Sequence, residues 1–249
     1  MEVNVETRRC KKSGKFTLAT LMGFIAVVGL LCLMINMAWQ RTYGDFNDRS
    51  RLSFKTYAGR IGFAISLKSL NEPGNRLPLV NEYDEQGRPM HSWRVLLLPE
   101  MEAREFYDLY AFHEPWDSLH NLRLAENSLN YYESLFWQDD EANRKGLTPF
   151  RAIVSGDNKK TERLGDWGKN ISKQNRPIIV LDFTNPVLWT QPDGITLEEI
   201  VSRVSLNDAR MEGTLFIFAD GSVKVLDEED LVRLEAIAAE ANGENAFDR

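Results

Sequence analysis

The feature that most constrains this chain is an uncharged segment near its N-terminus, residues 16–39, which reads FTLATLMGFIAVVGLLCLMINMAW. As an α-helix, these 24 residues would extend about 36 Å at about 1.5 Å per residue. The hydrocarbon core of a bilayer is about 30 Å thick, and a helix inside a globular domain is rarely apolar on every face over such a length. The segment therefore predicts a transmembrane helix.

The charge distribution predicts how this helix would be oriented. Residues 1–15 carry a net charge of +3, residues 16–39 carry none, and the remaining 210 residues carry −10. Because basic flanks are retained in the cytoplasm, we predict a basic cytoplasmic tail (1–15), a single-pass cell-membrane location and a C-terminal domain outside the cytoplasm. The basic tail suits the anionic head groups of the lipid bilayer. The acidic remainder argues against nucleic acid as a partner, because binding phosphates requires a basic surface.

The region after this segment predicts a stalk followed by a globular domain. Apolar residues recur at steps of three and four, the pattern of an amphipathic helix: Phe54, Tyr57, Ala58, Ile61, Ala64 and Ile65. This predicts a stalk helix over residues 40–72, which the breaker Asn71-Glu72-Pro73-Gly74-Asn75 ends. Residues 73–249 are then expected to form an extracytoplasmic globular domain.

The C-terminal part of this domain predicts strands and helices. Branched and aromatic residues predict strands at Phe150–Val154 and Pro177–Phe183. Two further strand-like runs flank Asp220-Gly221, which is the composition of a tight hairpin turn. Thr196 is positioned to cap a helix through Arg203, and Asp227 to cap a final C-terminal helix. We therefore predict an α+β fold in which the long N-terminal transmembrane and stalk helix packs on an antiparallel sheet.

Several sequence blocks resemble a bacterial family of prepilin-like proteins that carry a large domain of unknown function. The blocks are KFTLATLMGFIAVVGLL, GRPMHSWRVLLLPEME, HEPWDSLHN, VLWTQPDGI and LFIFADGSVKVL. The resemblance implies a pilin-like arrangement of the first helix and the sheet, and it gives no biochemical activity. The chain departs from the pilin pattern at two positions: Lys15 precedes Phe16 where the family has glycine, and Thr20 stands where pilins carry glutamate. An uncleaved, permanent anchor is therefore expected.

Two groups of side chains contain residue types that can bind metals. His113, Glu114, Asp117 and His120 lie close together in sequence, but their spacing matches no helix-face pair and Pro115 interrupts them. We predict a structural loop anchored by Trp116. The second group is an acidic stretch with Asp139, Asp140, Glu141 and Asn143. Related pseudopilins bind calcium in a loop, but this stretch lacks the alternating ligands and the turn glycine of a calcium loop.

No catalytic or cofactor-binding residue is predicted. Nucleophile-elbow, Walker-loop and His-Glu-x-x-His motifs do not occur in the sequence. Asp220 could be a catalytic carboxylate, but its place in a hairpin turn already accounts for it. The sequence thus predicts a protein that is not an enzyme and has neither a bound metal nor a cofactor.

Two functions from different classes fit these observations. The first is an anchored, pseudopilin-like structural or protein-interaction module of the cell envelope or of a secretion-type assembly. The second is an extracytoplasmic solute-binding or sensing domain, for which five tryptophans of the soluble part could supply aromatic walls. A deep pocket lined by two or more of these rings would favour the second function, and an exposed apolar patch would favour the first.

Overall fold

A computed structural model describes residues 18–126, 132, 146–156, 160–203 and 213–241. The chain divides into two compact units, Met1–Phe46 and Asn47–Arg249. Helix α1, Leu18–Asn71, contributes residues to both units.

In the first unit, the described side chains of α1 are exposed. They include large apolar residues at nearly every position from Val27 to Met37, with exposed fractions between 41% and 64%. Within the described part of the chain, no helix has a stretch that is both long and apolar enough to cross a membrane. The predicted transmembrane stalk, and the pilin-like arrangement built on it, are therefore wrong for this structure.

In the second unit, α1 buries one stripe of small and branched side chains. Ala58, Ile61, Ala64 and Ile65 are each at most 1% exposed and belong to the main hydrophobic core. The opposite face of the helix carries exposed apolar side chains at Phe63 and Leu70. The helix ends before Pro73 and Gly74, where proline and a left-handed glycine stop the helical hydrogen-bond pattern.

A five-stranded sheet forms the centre of this unit. Its order is β7-β4-β5-β8-β9, and its strands are β4 (Phe150–Val154), β5 (Pro177–Leu181), β7 (Ile195–Thr196), β8 (Thr214–Phe218) and β9 (Val223–Leu226). Side chains of one face join the core that contains α1, and those of the other face join a second core with the C-terminal helices. Burial on both faces explains why β5 is apolar at every position rather than alternating.

The predicted antiparallel sheet is wrong in one respect, since the sheet is mixed. Strand β7 pairs with β4 in parallel, with Ile153 opposite Ile195. Gly194, which precedes β7, lets the chain lie close to β4, because a side chain there would overlap that of Val154. Arg151 of β4 also donates from Nη2 to the Gly194 carbonyl at 2.8 Å. These contacts hold β7 against β4, and a strand of two residues is too short to be recognised from periodicity.

The hairpin β8–β9 packs its turn on α1. Gly221 has φ of 83°, and a side chain on Gly62 of α1 would overlap the Gly221 carbonyl oxygen. Asp220 accepts hydrogen bonds at its Oδ1 from the backbone amide (3.0 Å) and the hydroxyl (2.6 Å) of Ser222. The Asp-Gly pair thus shapes the turn, and two glycines allow the close contact with the helix.

Two capped helices cover the second core. Helix α5, Leu197–Arg203, begins with a capping box in which the Glu199 amide donates to Thr196 Oγ1 (3.2 Å) and the Thr196 amide donates to Glu199 Oε2 (2.9 Å). The final helix α6, Glu228–Ala241, is capped by Asp227, whose Oδ1 accepts from the Asp230 amide at 2.9 Å.

The remaining elements are short and lie outside the five-stranded sheet. A short hairpin pairs β1 (Asn81–Tyr83) with β2 (Pro89–Ser92), and it is followed by three short helices, α2 (Trp93–Leu96), α3 (Arg104–Leu109) and α4 (Leu119–Ala125). A two-stranded ladder pairs β3 (Leu147–Thr148) with β6 (Val187–Leu188). Two 3-10 turns, Asp166–Gly168 and Lys173–Asn175, precede β5.

Candidate functional site

Buried charges in this protein form an ionic network that holds distant segments together. Asp193 bonds two arginines: its Oδ1 accepts from Arg94 Nη2 and its Oδ2 from Arg151 Nε, both at 2.7 Å. Arg151 Nη1 also reaches Asp182 Oδ2 at 3.3 Å. The four side chains are at most 11% exposed. The pairing offsets the large desolvation penalty of each charge.

Backbone carbonyls occupy the other donors of Arg94. Its Nε donates to the Phe150 carbonyl at 2.9 Å, its Nη2 also bonds that carbonyl, and its Nη1 donates to the Gln191 carbonyl at 3.1 Å. With four hydrogen bonds and a fully buried side chain, this guanidinium is fixed in place and is not presented to a substrate. The network therefore joins α2, β4 and the loop before β7 as a structural clamp.

Sequence reasoning missed this network, although a signal was present. Arg94 is a single charge within the apolar run of Trp93 and residues 95–98, and it is fully buried. A charge in such a run is either exposed at an edge or paired inside the fold. Its partner Asp193 is 99 residues away along the chain, so the pairing could not be read from local spacing.

The structure gives the two histidines of the 113–120 group different partners. His113 is largely exposed, and its Nε2 lies 3.6 Å from Glu114 Oε1. His120 instead bonds the Leu109 carbonyl through Nε2 at 2.8 Å. Among the described residues, no group of three or more metal-capable side chains converges on one point. The residues around 113–120 therefore form a folded loop with no cluster that could coordinate a metal.

A buried asparagine, which sequence reasoning did not single out, organises this loop. Asn121 is fully buried; its Oδ1 accepts from the Ala111 amide at 3.0 Å, and its Nδ2 donates to the carbonyls of Ala111 (3.2 Å) and Pro115 (3.0 Å). Trp116, the predicted anchor, is half-buried, and its amide donates to the Met90 carbonyl at 2.9 Å. One side-chain amide thus replaces the regular backbone bonds that a loop lacks.

The loop and its two neighbouring helices border an open depression with a volume of about 450 Å³. It is lined by Leu109, Glu114, Leu119, His120, Arg123 and Leu124. Leu109 and Leu119 are 60% and 68% exposed, which is high for side chains of this size. This surface combines apolar walls with a basic edge on α4 and one carboxylate, so it can bind both an apolar and an anionic group.

The tryptophans do not line this depression. Trp93, Trp189 and Trp167 lie in the hydrophobic cores, with exposed fractions of 0%, 1% and 6%. The Trp189 and Trp167 indole nitrogens donate to backbone carbonyls at 3.1 Å and 2.9 Å. These three rings therefore serve core packing. Trp137 and the predicted acidic stretch Asp139, Asp140, Glu141 and Asn143 lie outside the described residues.

Comparisons with known proteins identify no relative: no protein-family model, curated protein or solved structure matches this chain. The resemblance to prepilin-like proteins therefore stays a prediction.

Proposed function

We propose that this protein is a structural or protein-interaction module of the cell envelope, and that it binds a partner protein at the depression between α3 and α4. The observation that carries the proposal is the pair of exposed leucines, Leu109 and Leu119, on either side of that depression. Exposed apolar patches with polar edges are typical of protein-binding surfaces.

The chemistry of the surface indicates the kind of partner. Leu109, Leu119 and Leu124 form apolar walls that fit one apolar side chain. Arg123 of α4 lines the same depression, and its guanidinium suits a carboxylate next to that side chain. Glu114, the one carboxylate of the lining, lies close to His113. The partner is therefore a polypeptide segment with an apolar side chain adjacent to an acidic one.

Apolar side chains of α1 support a location at the cell envelope. The described residues from Val27 to Met37 expose large apolar side chains, including Leu33, Met34 and Ile35 at 58–64%. Such side chains are stabilised by contact with lipid rather than with water. The basic residues 1–15 add attraction to anionic lipid, so bilayer lipids are the second proposed partner.

Solute binding is the weaker candidate. A depression of about 450 Å³ is within the range of small-molecule sites. However, it is open to solvent, and its described lining includes none of the tryptophans that suggested an aromatic ligand pocket.

Site-specific crosslinking tests the protein-binding proposal. A photo-reactive amino acid at Leu119 should give a discrete crosslinked product in cells that make the full-length protein. The same amino acid at Lys169, an exposed position on a different loop, should give none. The product should also disappear when Leu109→Asp is added. Equal crosslinking at both positions, or a product that persists with Leu109→Asp, would refute a binding surface at this depression.

A further inference from the structure

His91 connects the hairpin β1–β2 to the segment that carries the loop, α3 and α4. The ring is 3% exposed. Its Nδ1 lies 3.2 Å from the Tyr110 hydroxyl, and its Nε2 lies 3.0 Å from the Phe112 carbonyl. The rings of Tyr110 and Phe112 contact it edge-on, at centroid distances of 5.4 Å and 5.3 Å. His91 thus contributes much of the attachment of this segment to β2, together with the bond between the Trp116 amide and the Met90 carbonyl.

These partners fix the tautomer of the neutral ring. A carbonyl can only accept, so Nε2 carries the proton and donates to Phe112, and Nδ1 accepts from the Tyr110 hydroxyl. Protonation would place a hydrogen on Nδ1 directly opposite the Tyr110 hydrogen. The Tyr110 hydroxyl, which is 4% exposed, would have to turn and would lose its acceptor.

The charges around the ring do not compensate for protonation. Glu82 lies across the strand pair from His91 and favours the charged form, but burial has the larger effect and lowers the pKa of His91 below its ordinary value. Burial also raises the pKa of Tyr110, with Glu82 and Asp117 acting in the same direction. Tyr110 therefore stays neutral and cannot supply a negative charge to an imidazolium.

We propose that His91 is an acid-sensitive latch: its protonation releases residues 104–125 from β2 while the central sheet stays folded. The release alters the surface formed by α3 and α4. Binding at that surface therefore becomes pH-dependent, whatever the partner is. Since the neutral ring is the form that the fold stabilises, the contribution of His91 to stability is complete above the unfolded pKa of about 6.5 and is lost as the pH falls below it.

Hydrogen exchange of the full-length protein tests the latch. Exchange is measured at about pH 7.5 and about pH 5, on either side of the ordinary histidine pKa, and is corrected for the intrinsic exchange rate. Amides of residues 104–125 should lose protection at the lower pH, whereas amides of residues 58–65 in α1 should keep theirs. Unchanged protection of 104–125 would overturn the proposal.

The three histidines of the chain supply matched controls. His91→Gln cannot be protonated and should abolish the acid-dependent loss of protection. His113→Gln, at an exposed ring, should leave it intact. Acid-dependent loss that persists in His91→Gln, or that disappears in His120→Gln instead, would assign the effect to another group. Should His91→Gln fail to fold, the imidazole signals of the wild-type protein decide: a His91 ring that titrates without opening of 104–125 refutes the latch.

Discussion

Asp193→Asn tests whether the ionic network holds the second unit together. The substitution keeps the size of the side chain but removes the charge shared by Arg94 and Arg151, which are 0% and 11% exposed at their side chains. Arg94 would then be buried without a carboxylate partner, and Arg151 would keep only Asp182. Removing one member of a buried ion pair destabilises a protein by about 3–5 kcal/mol.

This change in the free energy of unfolding should be easy to measure. In a unit of this size, 1 kcal/mol shifts Tm by about 2–4 °C, so a destabilisation of about 4 kcal/mol lowers Tm by about 8–16 °C. Urea denaturation followed by tryptophan fluorescence measures the same change, because Trp93 and Trp189 are buried and become exposed to water on unfolding.

A matched control is available on the surface of α3. Asp108 pairs with Arg104 at 3.0 Å, but the two side chains are 61% and 70% exposed. Asp108→Asn should therefore change the free energy of unfolding by at most about 1 kcal/mol. If Asp193→Asn is no more destabilising than Asp108→Asn, the network does not have the structural role argued from its burial.

Four further variants test the helix contact, a cap and the lipid contact. Gly62→Ala should destabilise by about 1–3 kcal/mol, because the new methyl group overlaps the carbonyl of the β8–β9 turn. Gly59→Ala, where nothing lies within 4 Å, should stabilise by about 0.5–1 kcal/mol; thermal melts that rank these two variants the other way contradict the packing of the turn on α1. Thr196→Ala should lower the free energy of unfolding by about 0.5–2 kcal/mol through loss of the capping box, and an unchanged melt would show that the cap contributes nothing. Replacing exposed Val28 and Leu31 with lysine should abolish flotation of the protein with liposomes, and continued flotation would refute lipid contact at α1.

Local sequence patterns determined several elements closely. The strand predicted at Phe150–Val154 has those bounds in the structure, and β5 begins at the predicted Pro177. The turn at Asp220-Gly221 and the cap at Thr196 also lie where their residues indicated. These features depend on neighbours within a few positions, so side-chain chemistry and spacing suffice to predict them.

The tertiary structure alone decided the features that join distant parts of the chain. The sequence determined that Arg94 is a charge in an apolar run, but only folding brought Asp193 to it. The parallel pairing of β7 with β4 likewise appears only in the tertiary structure. Similarly, His113 and His120 are close in sequence, whereas the structure gives them different partners. The side chain that holds the loop together is Asn121, through its hydrogen bonds to the loop backbone. The physical reason is that burial and pairing depend on packing between segments far apart in sequence, which no local period records.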